Sequence, residues 1–293
     1  MAEAATFQGL SWNPLTDLEQ LFAYPFMVHA LAAGTIVAVM GGVTGWFMVL
    51  RRQTFAGHTL SIIAFPGAAA ASLAGLPLAV GYFGFCGLGA LTLAGVAGTR
   101  KSLSAESAAI GSLQAFALAL GFIFVSLYHG VLNSLDSLLF GTFLGITRGQ
   151  VVVLLAVAAA SVALVVGAAR PLLFSSVDPD VARAAGVPVR LLGFGFLLVL
   201  GLSVAETSQI TGALLVFALL VTPAATAYQL ARSFTRMLLL SGIIGAVCAV
   251  GGLYASYYLH SASGATIVLL ATAVFFAAMG FKHAQNYFRV RRG

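Results

Sequence analysis

The stretch QTFAGHTLSIIAFPGAAAASLAGL, residues 53–76, decides the class of this protein. It contains no Asp, Glu, Lys or Arg, and it is long enough to cross a bilayer, which takes about 20 apolar residues. Arg51 and Arg52 stand directly before it, and its only ionisable side chain is His58. An ionisable group inside a span is costly and usually faces a cavity or a partner. The stretch therefore predicts a membrane-spanning helix in which His58 either lines a pathway or packs against a neighbouring helix.

Composition extends this prediction to the whole chain. Charged residues are 8% of the 293 and hydrophobic residues 60%, with a mean hydropathy of +1.03. A soluble domain carries about 25% charged residues, so a soluble globular fold is excluded. We expect an all-α, polytopic helical bundle in the cell membrane, surrounded by lipid. The net charge of +6 then reports cytoplasmic loops and not a nucleic-acid partner.

Apolar runs separated by polar clusters predict eight or nine spans in one transmembrane domain over residues 1–293. The runs cover residues 26–50, 57–77, 80–99, 105–128, 149–169, 189–208, 210–231, 237–259 and 264–282. We expect residues 1–25 to form an N-terminal interfacial segment. Residues 131–148 are broken by Asp136 and glycines, so we expect them at the outer surface or as a re-entrant piece.

The distribution of Lys and Arg predicts which ends of the spans are cytoplasmic. With nine spans the basic clusters all fall on one side, which the positive-inside rule makes cytoplasmic. These clusters are Arg51 with Arg52, Arg100 with Lys101, residues 170–190, Arg232 with Arg236, and residues 282–292. Arg148 is the exception.

Polar residues and prolines within the apolar runs mark a candidate pathway. Glu206 and Gln209 lie where two predicted spans meet. Pro66 and Pro223 are expected to interrupt the spans 57–77 and 210–231. A broken helix frees backbone carbonyls, which are tolerated in a membrane only where a cavity or protein covers them. We therefore predict that these two spans line the pathway.

The longest loop, ARPLLFSSVDPDVARAAGVPVRLL, contains the pattern of a short capped helix over residues 178–187. Asp178 suits the N-cap, Pro179 the first helical position, and Asp180 complements the helix dipole. Gly186 suits the end of the helix. A helix of two turns is marginal alone in water, so it has to dock either on the bundle or in a soluble partner.

Several catalytic patterns do not occur in the chain. It has no G-x-x-x-x-G-K-[ST] loop, no H-E-x-x-H, no G-x-S-x-G and no C-x-x-C. Cys86 and Cys248 both lie inside apolar runs and suit buried packing better than a disulfide or a metal site. The sequence therefore gives no support for nucleotide hydrolysis through a P-loop or for an intramembrane hydrolase.

At this point the chain resembles the permease subunits of zinc, manganese and iron ABC importers. The likeness is carried by DPDVARAAGVPVRLL, then SQITGALLVFALLVTPAATAYQLAR, then LLLSGIIGAVCAVGGLYASYYLHSASGATIVLL. It continues on the N-terminal side through VLRRQTFAGHTLSIIAFPGAAAASLAGL and SLDSLLFG, and it covers most of residues 26–280. The combination in this order is specific, whereas any one piece would be weak.

The resemblance implies partners and a mechanism. It implies a homodimer that carries a divalent transition metal by ATP-driven alternating access, with no permanently bound cofactor. A separate ATPase subunit would hydrolyse ATP and dock on the coupling helix 178–187, and an extracytoplasmic binding protein would deliver the metal. The residues implied in ATPase coupling are Asp178, Pro179, Asp180, Ala182, Arg183 and Gly186.

The chain departs from the family pattern at the expected metal ligands. That pattern reads G-D-x-L-S-H-A, and the aspartate and histidine, four residues apart, share one helix face as ligands. Here the matching residues read GHTLSI, so that His58 replaces the aspartate, Ser61 is retained and Ile62 replaces the histidine. His58 remains the one candidate metal ligand of the pair, and the resemblance implies that His58, Ser61 and Ile62 line the substrate pathway. The loss of the pair favours an alternative importer for a chelated metal, haem or another small molecule. A non-transport membrane protein that keeps the fold is a second alternative, and a secondary transporter is a weaker one.

Overall fold

The computed structural model describes residues 22–99, 103–128, 141, 145–213, 215–231 and 233–290. Eleven helices lie within these residues: α1 (Pro25–Leu50), α2 (Thr54–Ala74), α3 (Leu78–Thr99), α4 (Leu103–Leu127), α5 (Arg148–Gly167), α6 (Ala169–Val177), α7 (Pro179–Ala184), α8 (Val189–Thr211), α9 (Val216–Leu230), α10 (Phe234–Leu259) and α11 (Ser263–Val290). The predicted all-α polytopic bundle is confirmed.

Eight of these helices are long and apolar enough to cross a membrane, which confirms the predicted number of spans. The ninth predicted span corresponds to α9, which has only 15 residues. At 1.5 Å per residue it extends for roughly 22 Å, less than the hydrocarbon core of about 30 Å. The boundary between the predicted spans 189–208 and 210–231 lies later than expected. The helix runs on to Thr211 and ends at Gly212, whose φ of 76° favours glycine.

The core of the bundle is built around α1. Buried side chains of α1, including Phe47 and Met48, form one large cluster with residues of α2, α3 and α8. A smaller cluster joins the beginning of α1 to α5, α10 and α11. Ser241 of α10 donates a hydrogen bond of 2.8 Å to the carbonyl oxygen of Gly42 in α1. Both cysteines are buried and unbonded to each other, as expected.

Contacts between helix ends bring several of the basic clusters together. Arg51, directly after α1, donates to Ser175 of α6 over 3.2 Å. Lys282 of α11 donates to Gln229 near the end of α9 over 2.9 Å. We call this end of the bundle the basic end. Arg148 is the first residue of α5, and α5 runs from there to α6 at the basic end. Arg148 therefore lies at the opposite end of the bundle, as expected for a residue outside the basic clusters.

The two intramembrane prolines do not interrupt their helices, which corrects the prediction. Pro66 lies inside α2 and Pro223 inside α9, and each helix is continuous on both sides of its proline. Both prolines are buried among neighbouring helices. Such packing and small local adjustments allow a membrane helix to tolerate proline. The freed carbonyls expected from two broken helices therefore do not define a pathway here.

The longest loop predicted from the sequence is more ordered than the sequence indicates. Residues 169–177 form α6, which directly follows α5 and was expected to be part of a loop. Pro171 lies in the first turn of α6, where proline is tolerated because no hydrogen bond is lost. The predicted short helix is present as α7, but it spans Pro179–Ala184 and not 178–187.

Some predicted features lie outside the described residues. These are residues 1–21 of the interfacial segment, most of the segment 131–148, and the basic side chains Arg100, Lys101 and Arg232.

Candidate functional site

One face of α2 carries His58 and Ile62, which lie four residues apart and therefore on the same side of the helix. Both side chains are half-buried, whereas the intervening Thr59, Leu60 and Ser61 are buried in the bundle. This face is consequently the part of the first half of α2 that is open to a partner or a pathway.

The His58 ring packs against Phe217 of α9, with 4.7 Å between ring centroids and 57° between the ring planes. Its Nδ1 atom is buried and has no hydrogen-bond partner among the described residues. A buried polar atom normally has a partner, and one without a partner calls for an explanation such as an ion or a ligand. The Nδ1 atom of His58 therefore has an unused hydrogen-bonding capacity.

Ser61 is placed differently from His58, although both were expected to line the pathway. Its hydroxyl is 1% exposed and donates to the carbonyl oxygen of His58 over 2.7 Å. Serine hydroxyls inside helices commonly bond to a preceding carbonyl in this way. The Ser61 side chain is thus occupied within its own helix.

On the other side of His58, α9 presents an apolar surface. The half-buried face that begins at Phe217 continues one turn later with Val221 and two turns later with Ala225. Pro223 is buried on another side of α9. The imidazole therefore lies beside an apolar wall, with few competing polar groups.

Glu206 and Gln209 do not join His58. They lie in the last turns of α8 and line a cavity of about 600 Å³ together with residues from the starts of α3 and α5. Neither His58, Ser61 nor Ile62 borders this cavity. Glu206 is 2% exposed, and its Oε2 atom has no hydrogen-bond donor within the described part of the chain. The sequence predicts a single polar pathway, whereas the structure places His58 and the pair Glu206 and Gln209 at two separate sites.

The segment around α7 has the cap that the sequence predicts. Asp178 accepts hydrogen bonds from the backbone N–H groups of Asp180 and Val181 at 3.1 and 3.0 Å. Arg183 forms an exposed ion pair of 2.8 Å with Asp180. Gly186 follows the helix with a φ of 82°, and its N–H bonds back to the carbonyl oxygen of Arg183. These contacts hold the short helix in a defined shape.

Only one side of α7 is packed against the chain. Ala182 is fully buried, whereas Val181 is 52% exposed and Val177, directly before the cap, is 73% exposed. Phe174 of α6 adds a further exposed apolar side chain. We call Phe174, Val177 and Val181 the apolar patch. Exposed apolar side chains outside a bilayer mark an interaction surface when they lie together.

Arg51 ties this segment to α1. Its guanidinium donates to Ser175 and Ser176 over 3.2 and 3.4 Å and lies 5.5 Å from the centroid of the Phe196 ring of α8. Burial lowers the pKa of Arg51 below its ordinary value. In the sequence Arg51 indicates only topology, and no local pattern connects it with Ser175 and Ser176, which lie 124 and 125 residues away.

The described residues contain no group of three or more His, Cys, Asp or Glu side chains able to hold a metal ion. His58 is accordingly a single potential ligand in one chain. Sequence reasoning also missed Phe217 and the apolar patch, because their roles depend on contacts between distant helices.

The described residues thus form an all-helical membrane bundle with an imidazole on a half-exposed face and a short capped helix at its basic end. The ABC 3 transport family model matches residues 23–282, and the chain belongs to this family.

Relatives and solved structures agree with this assignment. The chain is 34% identical over 278 residues to "Manganese transport system membrane protein MntC" of Halalkalibacterium halodurans, covering 94% of each protein. It is 28% identical over 269 residues to "Chelated iron transport system membrane protein YfeD" of Yersinia pestis, covering 91% of this chain and 89% of that one. Its structure is similar to that of PsaBC from Streptococcus pneumoniae in complex with Fab, with a TM-score of 0.83 at 30% identity and coverage of 94% and 99%.

Proposed function

We propose that this chain is the permease subunit of an ABC importer for a divalent transition metal, with manganese, iron and zinc as the candidate ions. The observation that carries the proposal is His58, a half-buried imidazole with an unpartnered ring nitrogen on the open face of α2. It occupies the position at which the family pattern expects a metal ligand. Names of relatives that transport manganese and iron support the choice of substrate class.

Two copies of the chain would bring two imidazoles together. A second copy that covers the face of His58 and Ile62 would supply one nitrogen ligand from each chain. Two ligands are too few for the closed four-ligand arrangement of a structural zinc site, so the ion would be held transiently. Weak binding suits transport, because a tightly bound ion is released slowly.

A second candidate function is import of a chelated metal. Ile62 is half-buried and apolar where the family pattern has a second ligand, and Phe217 adds an aromatic surface beside His58. An apolar wall with one polar group suits an organic chelate better than a bare ion. A relative named for chelated iron transport supports this alternative.

Uptake by the reconstituted complex distinguishes the two functions. The permease, its ATPase and its binding protein would be placed in vesicles and supplied with ⁵⁴Mn²⁺, ⁶⁵Zn²⁺ or ⁵⁵Fe²⁺, each bare or chelated. ATP-dependent uptake of a bare ion supports the first proposal. Uptake of the chelated form alone would support the second, and uptake of neither would contradict both.

We further propose that an ATPase subunit docks on the apolar patch. Val181→Glu should lower the amount of ATPase that copurifies by about tenfold or more, because a carboxylate buried without a partner costs a few kcal/mol. Ala182 is unsuitable for this test, since it is buried within the chain itself and a glutamate there would displace α7.

A matched variant controls for the added charge. Ser233→Glu adds the same carboxylate at the exposed position directly before α10 and outside the patch, where a negative charge suits the helix N-terminus. It should retain the ATPase at the parental level. Parental retention by Val181→Glu as well would place the docking surface elsewhere.

We propose that the basic end is cytoplasmic. In a background with Cys86→Ala and Cys248→Ala, a single cysteine at Arg183 should react with an impermeant maleimide only after the membrane is opened. A cysteine at Arg148, which is exposed at the other end of the bundle, should react in intact cells. The reverse pattern would invert the topology and remove the argument for ATPase docking at α7.

A further inference from the structure

The cavity beside Glu206 lies at the end of the bundle opposite the basic end. The beginnings of α3 and α5 and the last turns of α8 enclose it. Exposed residues, among them Pro77, Gly149 and Gln150, form part of its lining, so it is reachable from solvent. Five of the side chains that line it carry oxygen atoms of the kind that ligate metal ions: Tyr82, Thr147, Gln150, Glu206 and Gln209. The function proposed above does not use this cavity.

Glu206 is the unexplained group in the cavity. Its side chain is 2% exposed, and its Oε2 atom has no hydrogen-bond donor among the described residues. The described residues that line the cavity include no Lys, Arg or His. An ionised carboxylate that is buried without a partner is costly, so the charged form of Glu206 favours a guest that supplies positive charge.

The other side chains with oxygen atoms line the same cavity. Glu206 and Gln209 are three residues apart on α8 and therefore neighbours on one helix face. Tyr82 reaches the cavity from α3 and brings a hydroxyl. Gln150 and Thr147 already bond to each other in the cap of α5. The amide oxygen of Gln150 accepts from the N–H of Thr147 over 2.9 Å, and the hydroxyl oxygen of Thr147 accepts from the N–H of Gln150 over 3.3 Å. The available donors are thus a carboxylate, an amide and a hydroxyl.

This donor set selects the class of guest. Oxygen ligands without sulfur or imidazole suit hard cations such as Mn²⁺, Mg²⁺ and Ca²⁺. A cavity of about 600 Å³ has room for an ion with part of its hydration shell, since a water molecule occupies about 30 Å³. One carboxylate gives only moderate charge compensation, which favours an ion that keeps several waters.

We infer that Glu206, Gln209 and Tyr82 form a second cation site, separate from His58, that takes a partly hydrated Mn²⁺ at the outer end of the bundle. The site's role as a first stop for the imported ion rests on the proposed function, whereas ion binding itself does not. Its oxygen donors would hold Mn²⁺ before the ion reaches the imidazole on α2.

Direct binding of Mn²⁺ tests the site. The purified full-length chain in detergent would be titrated with MnCl₂, and bound ion would be measured by electron paramagnetic resonance. Glu206→Gln keeps the size of the side chain but removes its charge. Substitutions that only support a metal ligand already lower affinity by about 10–100-fold, so we expect at least a tenfold loss here. Unchanged Mn²⁺ affinity and stoichiometry would overturn the inference.

A matched control and a stability measurement separate binding from folding. Glu106→Gln makes the same change at a half-buried glutamate of α4 that does not border the cavity, and it should bind Mn²⁺ like the parent. In parallel, Mn²⁺ should raise the melting temperature of the parent more than that of Glu206→Gln or Glu206→Leu. An equal rise in all three proteins would also overturn the inference.

The same samples distinguish failure of this site from failure of the import proposal. Glu206-dependent Mn²⁺ binding without ATP-dependent uptake of any bare ion would contradict the import proposal and leave the site standing. Parental Mn²⁺ binding and parental uptake by Glu206→Gln would contradict the second cation site and leave the import proposal standing. If the site is the first stop for the ion, Glu206→Gln should raise the KM for Mn²⁺ severalfold while maximal uptake stays close to parental.

Discussion

Gly45→Ala should prevent the folded chain from accumulating in the membrane. Gly45 lies in α1, where a Cβ atom would overlap the carbonyl oxygen of Leu220 in α9 and approach its carbonyl carbon to 2.9 Å. These are backbone atoms, so no side-chain rotation relieves the overlap and the two helices have to separate. Overpacking a core typically costs about 1–3 kcal/mol, and we expect a loss at the upper end of this range or above it.

The yield and melting temperature of the solubilised protein measure this effect. Gly195→Ala is the matched control, because a Cβ atom at this half-buried position of α8 meets nothing within 4 Å. It should accumulate and melt like the parent or slightly better, since alanine is favoured over glycine inside helices by about 1 kcal/mol. Parental yield and melting of Gly45→Ala would show that α1 and α9 are not packed as closely as described.

The contact between Gly45 and Leu220 also bears on function. Leu220 is one turn from Phe217, the residue whose ring packs on His58. Small residues at helix interfaces allow close packing in lipid, where no hydrophobic force pulls helices together. The packing of α9 against α1 therefore helps to place Phe217, so Gly45 bears on the contact at His58 from another helix.

The sequence predicts the class of fold well because the bilayer imposes it. Apolar runs of span length and the alternation of basic loops predict eight or nine spans, and the structure confirms this number. The details that fail depend on neighbouring helices. From the sequence alone, Pro66 and Pro223 indicate breaks in their helices. In the structure, packing against surrounding helices allows α2 and α9 to continue through these prolines. In the same way, Pro171 resembles a loop residue, although it lies in the first turn of α6.

The candidate site is less predictable because it depends on which way each helix faces. His58 and Glu206 have the same appearance in sequence, each an ionisable residue in an apolar run. Only the packing shows that His58 meets Phe217, whereas Glu206 faces residues from the starts of α3 and α5. Ser61 was grouped with His58 by position, yet its hydroxyl is buried and bonds within its own helix.

Replacement of His58 should have the largest effect on transport. His58→Ala should lower ATP-dependent uptake by about tenfold or more, since losing a ligand costs at least as much affinity as losing a group that supports one. Assembly should persist, because the side chain is half-buried and the substitution adds no volume. Uptake in vesicles and copurification of the ATPase check the two parts of this expectation.

Two further variants distinguish a ligand from a packing residue. His58→Gln keeps a hydrogen-bonding side chain but removes the imidazole, so it should resemble His58→Ala if the ring nitrogen binds the ion. Phe217→Leu removes the aromatic contact and leaves the imidazole in place. If His58 only packs, Phe217→Leu should impair uptake as much as His58→Ala, and His58→Gln should transport like the parent.

The double variant His58→Asp with Ile62→His tests the choice of metal. It places a carboxylate and an imidazole four residues apart on the open face of α2, which restores the pair expected from the family pattern. A carboxylate suits hard Mn²⁺ better than an imidazole does, so the double variant should take up Mn²⁺ at lower concentrations than the parent. Parental uptake by both His58→Ala and His58→Gln would contradict the ligand role. The half-exposed face of α2 would then be a surface for an organic chelate, with Ile62 and Phe217 as its apolar contacts.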